Sequence, residues 1–184
     1  IYDNPHLFFA PIPVIQNSIA GKPNPENCQS TIESISQAAQ AAISGQATAI
    51  VTNPISKSIL SSTGFKYPGH TEFLAYLAEK HYPEKKFLPA MMLASQHLRV
   101  VPVTIHIPIS EVPSKLTNSI IEETIKTTWQ KLKDDFGIAN PRIAVSGLNP
   151  HAGEAGTIGC EEVDIIKPII QKFSSSGLQI NGPY

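Results

Sequence analysis

The first regular pattern of apolar residues along the chain predicts an α-helix. Its apolar positions recur every three or four residues: Ile32, Ile35, Ala39, Ala42 and Ile43. This spacing puts them on one face of a helix. The four residues 30–33, Ser-Thr-Ile-Glu, have the spacing of a capping box, and Gly45 supplies a C-terminal stop. We therefore expect a helix that starts near Ser30 and ends before Gly45.

Further along the chain, short apolar runs alternate with amphipathic stretches. The runs are typical of buried strands and cover residues 47–51, 88–94, 99–105, 142–146 and 178–180. The stretches have helical spacing and cover residues 56–61, 71–78, 118–136 and 161–173. Strands that alternate with helices favour an α/β fold with parallel layering.

The composition is that of a folded protein without an electrostatic preference for polyanions. Hydrophobic residues make up 41% and charged residues 16% of the 184 residues, a balance that can fill a core. Because 14 Lys and Arg stand against 15 Asp and Glu, nucleic acid and anionic membranes are not expected as partners. The length suggests one compact domain, or one domain plus a piece of another.

Nothing in the sequence indicates membrane insertion or secretion. No run approaches the roughly 20 apolar residues of a membrane span, and the segment Ile1–His6 has no basic region followed by an apolar one. We therefore expect a cytoplasmic protein. Cys28 and Cys160 are too few and too far apart for a disulfide framework or a Cys-rich zinc site, so we expect ordinary thiols.

Three loops that follow predicted strands carry polar residues suited to chemistry. They are residues 52–57, the turn at His106 and residues 149–154. Ligands of open α/β sheets collect beyond the carboxyl ends of the strands, so these loops could converge on one crevice. A further glycine-rich loop, 153–159, lacks the glycine order of a dinucleotide fingerprint or a P-loop. We interpret it as a flexible active-site loop, with plain turn glycines as the alternative.

His106 and His151 are the candidate metal ligands, because imidazole is the commonest neutral ligand of transition metals. Two loop histidines held by hydrogen bonds are the alternative, since two ligands are one short of a minimal site. Glu154 is a candidate for a further ligand or for a partner that orients a histidine. Glu161 and Glu162 are expected to stabilise the following helix, because their negative charges lie near the positive end of its dipole.

The segment 69–72, Gly-His-Thr-Glu, is a candidate anion site. It lies at a predicted helix N-terminus, where backbone N–H groups and the helix dipole favour a phosphate or carboxylate. His70 and Thr71 would contact the anion; alternatively, Thr71 is only an N-cap and His70 a solvated neighbour. Lys57, after a predicted strand, could grip an anion or activate a hydroxyl, or could simply be solvated.

Four motifs, in order, resemble those of the 4-hydroxythreonine-4-phosphate dehydrogenase family. They are TNPISK at 52–57, PGHTEF at 68–73, TIHIP at 104–108 and GLNPHAGE at 147–154. The match continues through Gly159, the glutamates at 161–162, Asp164 and the segment Asn181–Pro183.

The resemblance implies a three-layer α/β/α fold like that of isocitrate and isopropylmalate dehydrogenases, with two domains. This chain would be incomplete in that fold. Residues 1–50 would contribute partial elements of the first α/β domain, and residues 51–184 would form a substrate- and metal-binding α/β domain truncated at its C-terminal side. The family also implies a homodimer with a shared active site.

The implied reaction is the NAD-dependent, metal-requiring oxidation of 4-phosphohydroxy-L-threonine. Decarboxylation then gives 3-amino-2-oxopropyl phosphate, in pyridoxal 5'-phosphate biosynthesis. NADP is the alternative to NAD, and the divalent metal would be zinc, magnesium, cobalt or manganese. A paralogous dehydrogenase for another phosphorylated four-carbon hydroxy acid, and a non-catalytic anion- or metal-binding domain, are the alternative functions.

The motifs also imply roles for individual residues. His106 and His151 correspond to two of the family's three metal-ligand histidines, and His70 and Thr71 to substrate-binding positions. Lys57 is the candidate catalytic residue, as an anion contact or proton-transfer group. In the family the third histidine, in a His-Asp-Gln stretch, and most of the NAD site follow the segment that corresponds to this chain. The 184 residues alone are therefore expected to be inactive, and no cofactor-binding residue is assigned.

Overall fold

The computed structural model describes residues 10–184, which fall into two compact units separated along the chain between Pro89 and Ala90. The segment Ile1–His6, on which the expectation about secretion rests, lies outside the described residues. The helices are α1 (Cys28–Ile43), α2 (Lys57–Ser62), α3 (His70–His81), α4 (Val112–Lys115), α5 (Asn118–Asp134) and α6 (Lys167–Ser175). The strands are β1 (Leu93–Ala94), β2 (Arg99–Val100), β3 (Arg142–Ala144) and β4 (Gln179–Asn181).

The described residues are mainly helical, and their few strands form two two-stranded sheets. The helices predicted from apolar spacing between Ser30 and Gly45 and at 56–61, 71–78 and 118–136 are confirmed by α1, α2, α3 and α5, with every end within three residues. None of the helices in residues 10–184 is long and apolar enough to cross a membrane. The proposed domain division at residue 50 stays a prediction.

The start of α1 differs from the predicted capping box. The helix begins at Cys28, after a 3-10 turn at Pro25–Asn27, and its first turn already contains Ser30. The Ser30 hydroxyl donates instead to the carbonyl of Pro13, at 2.6 Å. The Asn27 side chain likewise serves the preceding segment, since its Oδ1 accepts from the Gln16 amide at 3.0 Å. Both side chains therefore tie the incoming chain to α1 rather than cap the helix.

The predicted strand at 47–51 is wrong. These residues belong to no strand, and the Val51 side chain is 97% exposed. A buried strand needs neighbouring strands to satisfy its backbone N–H and C=O groups. Among residues 10–89 the structure offers only an isolated bridge between Ile19 and Lys22. The first unit is instead held by helices, with α1 packed on α3.

The second unit contains the parallel pairing that the α/β prediction requires. β3 and β4 pair in parallel, with Ile143 opposite Ile180, and the chain between them includes α6, as a parallel crossover demands. The hydroxyl of Ser174 in α6 donates to the Ile180 carbonyl at 2.7 Å. The buried apolar core of this unit comprises Leu116, Ile121, Ile125, Ile166, Ile169, Ile170, Phe173 and Ile180.

The predicted buried strands at 88–94 and 99–105 are largely wrong. Only two residues of each run are in strands, β1 and β2, which pair antiparallel with each other. All four of these residues are exposed, including Leu93 and Val100. Because all four residues are exposed, neither strand is covered on both faces as the apolar composition suggested.

Candidate functional site

The loop that carries His151 begins where the β3–β4 ladder ends. The Val145 amide donates to the Asn181 carbonyl at 2.8 Å, and the Gly147 amide donates to the Tyr184 carbonyl at 2.7 Å. These bonds continue the pairing past β3 along the last residues of the chain. A Cβ on Gly182, whose φ is +131°, would collide with the Val145 carbonyl oxygen. The backbone at residues 145–147, where the loop leaves the sheet, is therefore fixed by hydrogen bonds to residues 181 and 184 and by the close approach of Gly182.

Asn149 folds the beginning of this loop around His151. Its Oδ1 accepts from the amides of His151 and Gly153, at 2.9 and 3.5 Å. Its Nδ2 donates to the Ile158 carbonyl, at 3.2 Å. Asparagine commonly bonds backbone amides two residues on, because its short side chain mimics a peptide group. The Asn149 side chain thus joins both ends of the loop.

The residues after His151 form a left-handed 3-10 turn, Ala152–Gly156. All five have positive φ, including the non-glycine residues Ala152 (+46°), Glu154 (+39°) and Ala155 (+55°). A left-handed backbone costs an L-residue roughly 1–2 kcal/mol because Cβ approaches the carbonyl oxygen. Such strain persists only where the surroundings fix the conformation, and it clusters at functional sites. The first part of the glycine-rich loop is therefore a defined turn, and the role of the loop in an active site stays a prediction.

The turn brings the Glu154 carboxylate to the His151 imidazole. Oε1 of Glu154 lies 3.1 Å from Nδ1 of His151, and both side chains are more than half exposed. A carboxylate beside Nδ1 favours the tautomer with the proton on that nitrogen and leaves the Nε2 lone pair free. Of the two roles considered for Glu154, this contact favours that of the partner that orients a histidine.

His106, the other candidate ligand, lies in the same unit and is exposed. Its φ is +58°, a conformation that histidine adopts more readily than most residues. In residues 10–184 no three His, Cys, Asp or Glu side chains are placed to hold one metal ion. The structure therefore displays two imidazoles at the surface of this unit but does not complete a metal site from the described residues.

The candidate anion site lies at the N-terminus of α3, in the first unit. The helix begins at His70 with Gly69 as its N-cap residue, so the alternative in which Thr71 is only an N-cap is wrong. Thr71 lies in the first turn and is exposed, and His70 is half-buried. The hydroxyl of Thr71 is thus available beside the amides of the first turn, which have no partner within the helix.

Lys57 reaches the same helix end. A Cβ built on Gly69 would lie 3.8 Å from Lys57 Nζ and 3.7 Å from Glu72 Oε2, so both side chains flank the N-cap. Lys57 is itself the first residue of α2. The structure therefore brings Lys57 to the segment 69–72, as the candidate anion site requires, and the Glu72 carboxylate also lies beside Gly69.

Aromatic rings hold this helix end in place. Phe73, buried in the first two turns of α3, packs edge-on to Phe65 at 5.0 Å and against Tyr67 at 5.1 Å between ring centroids. Burial raises the pKa of the Tyr67 hydroxyl, and the neighbouring Tyr76 raises it further. The cluster of these rings anchors the loop 64–69 to α3.

Two features were missed by reasoning from the sequence. A cleft of about 330 Å³ in the first unit is lined by residues that include Lys22, Asn27, Thr31 and Ser56. It results from the approach of segments 18–31 and 54–60, which no local pattern predicts, and Lys57 does not line it.

The second missed feature is Glu162, which was expected only to favour the positive end of a helix. Its side chain is completely buried, and its Oε1 accepts from the Leu148 amide at 2.7 Å. It begins a π-helical turn, Glu162–Ile166, that leads into α6. The charge pattern around Glu162 does not indicate this burial.

A family model matches nearly the whole chain, and the matching relatives are about twice as long. The model is described as pyridoxal phosphate biosynthetic protein PdxA and matches residues 5–184. The 4-hydroxythreonine-4-phosphate dehydrogenase of a Methylorubrum extorquens strain is 46% identical over 163 residues, which is 89% of this chain and 46% of the relative. That of Bradyrhizobium diazoefficiens is 48% identical over 165 residues, 89% of this chain and 47% of the relative. The chain thus spans about half the length of these relatives.

Solved structures also match the fold of nearly the whole chain, over about half of their own length. The crystal structure of 4-hydroxythreonine-4-phosphate dehydrogenase from Klebsiella pneumoniae matches with a TM-score of 0.83 and 33% identity, over 95% of this chain and 51% of that one. A terephthalate 1,2-cis-dihydrodiol dehydrogenase from Burkholderia xenovorans matches with a TM-score of 0.63 and 29% identity, over 90% and 51% of the two chains.

Proposed function

The chain belongs to the PdxA family of pyridoxal phosphate biosynthetic proteins, and from this membership we propose that the full-length protein is a 4-hydroxythreonine-4-phosphate dehydrogenase. The family predicted from four sequence motifs is thereby confirmed. The observation that carries the proposal is the family match over residues 5–184, which contains all five candidate residues, together with relatives of 44–48% identity that carry this name.

The proposed reaction removes a hydride and then carbon dioxide. The C3 hydroxyl of 4-phosphohydroxy-L-threonine loses its proton and gives a hydride from C3 to the nicotinamide of NAD, which leaves a ketone β to the carboxylate. The C–C bond to the carboxylate then breaks, and the carbon that bore it takes up a proton to give 3-amino-2-oxopropyl phosphate. A dehydrogenase requires a hydride acceptor of this kind. NAD is the proposed one, with NADP as the alternative.

His106 and His151 are the proposed metal ligands. The donor set fits a divalent transition metal, since both imidazoles are exposed and Glu154 engages Nδ1 of His151, which leaves Nε2 for the ion. Two ligands are one short of the usual three of a catalytic site, so the proposal requires a third from another part of the full-length protein. A bound metal would polarise the substrate's hydroxyl and stabilise negative charge as carbon dioxide leaves.

The residues at the N-terminus of α3 are proposed to hold an anionic group of the substrate. The Thr71 hydroxyl can donate to a phosphate or carboxylate, and the first-turn amides and helix dipole favour negative charge there. His70 is the second proposed contact. Lys57, whose ammonium group flanks Gly69, would supply the compensating positive charge or transfer a proton.

The finer points of fold and assembly follow from the same family. We expect the full-length protein to have three α/β/α layers, as in isocitrate and isopropylmalate dehydrogenases, and to form a homodimer with a shared active site. The TM-score of 0.83 with the Klebsiella structure supports the fold. The parallel pair β3–β4, with α6 between its strands in the chain, supports the α/β layering.

The direct test is NADH formation by the full-length protein with 4-phosphohydroxy-L-threonine and a divalent metal. His106→Ala and His151→Ala are each expected to lower bound metal and kcat by at least about 100-fold, since each removes a ligand. His97→Ala, another exposed histidine of the same unit, is the control and should retain both. NADH formation that is unchanged in the first two variants would rule out the assignment of the ligands.

A second substrate class is supported by one comparison. The Burkholderia xenovorans match is named for a dihydrodiol of terephthalate rather than a phosphorylated amino acid, so proteins with this fold accept alcohol substrates that carry no phosphate. A panel should therefore include a phosphorylated four-carbon hydroxy acid and an aromatic cis-dihydrodiol. A kcat/KM higher for either than for 4-phosphohydroxy-L-threonine would replace the proposed substrate.

A further inference from the structure

Glu162 is a fully buried acidic residue beside the loop that carries His151. Its side chain has no solvent exposure and is the one buried charged side chain of residues 10–184. A buried carboxylate is costly unless it makes hydrogen bonds, because it gives up its interactions with water. The hydrogen bonds and contacts of the Glu162 carboxylate therefore have to offset the free-energy cost of its burial.

One carboxylate oxygen of Glu162 fixes the beginning of the loop. Oε1 accepts a hydrogen bond of 2.7 Å from the Leu148 amide, fourteen residues earlier. Hydrogen bonds with a charged partner are shorter and roughly twice as strong as neutral ones. A Cβ on Gly147 would lie only 3.2 Å from the same oxygen, so the backbone of residues 147–148 is in close contact with the carboxylate.

The other oxygen packs against the loop on the far side of His151. A Cβ built on Gly153 would be 2.6 Å from Oε2 and 2.9 Å from the carbonyl oxygen of Gly159. Oε2 itself has no hydrogen-bond partner among the described residues. Only a glycine fits at 153, and the carboxylate closes the space that any side chain there would need.

We propose that Glu162 is a positioning residue that sets the place of His151 by holding the loop at Leu148 before it and at Gly153 after it. The inference rests on the proposed role of His151 as a metal ligand. The left-handed turn Ala152–Gly156 is strained and needs neighbours that fix its conformation. The Glu162 carboxylate is such a neighbour, and it acts on the metal site only through the backbone of the loop.

The test compares three variants of the full-length protein. Glu162→Leu removes the acceptor but keeps the approximate volume. Glu162→Gln keeps an oxygen for the Leu148 amide and removes the charge. Ile125→Ala is the control, because Ile125 is buried in α5, in the apolar core of the same unit, and its side chain offers no hydrogen-bond acceptor to the loop amides. Two quantities are measured, the hydrogen exchange of the segment 147–153 in metal-free protein and the affinity for Co²⁺.

Glu162→Leu is expected to speed exchange in 147–153 by about tenfold or more, since the Leu148 amide loses its acceptor, and to weaken Co²⁺ binding by about tenfold or more. Glu162→Gln should restore both to within about threefold of the wild type. Ile125→Ala should lower the thermal midpoint while Co²⁺ affinity stays within about threefold, which separates positioning from a general loss of stability.

Other results would overturn the proposal. Wild-type exchange and Co²⁺ affinity in Glu162→Leu would show that the loop does not depend on the carboxylate, and a loss in Glu162→Gln equal to that in Glu162→Leu would show that the hydrogen bond is not the cause. His151→Ala distinguishes failure of the proposed function. If it leaves Co²⁺ affinity unchanged, His151 is not a ligand, and the exchange data alone then decide whether Glu162 holds the loop.

Discussion

Oε1 of Glu154 lies 3.1 Å from Nδ1 of His151, and the left-handed turn between the two residues makes this contact. In an α-helix, side chains three residues apart also meet, but each backbone amide there donates to the carbonyl four residues earlier. Here the Glu154 amide donates back to the His151 carbonyl at 3.0 Å. Glu154 thus holds His151 twice: its amide fixes the backbone of His151, and its carboxylate orients the ring.

Loss of the Glu154 carboxylate should weaken metal binding without removing a ligand. Glu154→Ala frees the His151 ring to rotate and to change tautomer, and such partners of ligating histidines are worth about 10–100-fold in affinity. Titration of the full-length protein with Co²⁺ measures the effect. Glu123→Ala, an exposed glutamate of α5, is the control. An affinity equal in both variants would contradict the orienting role.

Gly153→Ala should destabilise the protein more than Gly177→Ala. Both glycines have positive φ, +74° and +85°, but a Cβ at 177 meets nothing within 4 Å, whereas at 153 it meets Glu162 Oε2 at 2.6 Å. Both variants should lose roughly 1–2 kcal/mol of stability, because an L-residue is strained at positive φ. At 153, overpacking against Glu162 should cost about 1–3 kcal/mol more. Urea unfolding of both variants measures the difference, and equal losses would argue against the contact with Glu162.

Thr71→Val should raise KM rather than lower stability. Gly69, not Thr71, is the N-cap of α3, so the substitution leaves the helix start intact and should change the free energy of unfolding by less than about 0.5 kcal/mol. Loss of a hydrogen bond to a charged substrate group costs about 1.5–3 kcal/mol, which is tenfold or more in KM. A lower thermal midpoint with unchanged KM would instead favour a structural role.

The pair Glu122 and Lys172 should make stability depend on pH in the acid range. Lys172 Nζ lies 2.6 Å from Glu122 Oε1 and joins α6 to α5. This hydrogen bond, with help from Lys126, lowers the pKa of Glu122 below its ordinary value. A lowered folded-state pKa means that the stabilisation is present above the unfolded pKa, about 4.3, and is lost as the pH falls through the folded value.

Lys172→Met tests this pair. Its difference in the free energy of unfolding from the wild type should be largest near neutral pH and should shrink as the pH falls below about 4. High salt should also reduce it, because the pair lies at the surface. A difference that is constant with pH would show that the methylene groups of Lys172, not its charge, stabilise the contact.

Local patterns were sufficient for the longer helices and for β3 and β4, which overlap the predicted runs 142–146 and 178–180. They were insufficient for the helix caps and for the strands predicted at 47–51, 88–94 and 99–105. The 3.6-residue spacing of apolar residues predicted α1 and α5, because an amphipathic face is a property of the segment itself. The capping box at Ser30 was predicted wrongly, because the Ser30 hydroxyl bonds the Pro13 carbonyl, seventeen residues away. The alternative of Thr71 as an N-cap was wrong because Gly69 holds that position. The run 47–51 has the composition of a strand but no partner strand in its unit, as far as residues 10–89 show, and strand formation depends on partners.

For the candidate site, the sequence determined which residues are present and which family they belong to. Four motifs in order carried that information, and the same motifs supplied His106, His151, His70, Thr71 and Lys57. These assignments need only residue identity and spacing, which the sequence states directly.

Only the tertiary structure decided how the surroundings of these residues are built. Glu162 is buried because the loop 147–153 folds back over it, and its bond to Leu148 spans fourteen residues. Lys57, the first residue of α2, lies beside Gly69 at the start of α3, twelve residues further along the chain. Burial and polar contacts of this kind arise from segments that are distant in sequence, and their energies depend on the local dielectric and on the geometry that the packed chain imposes.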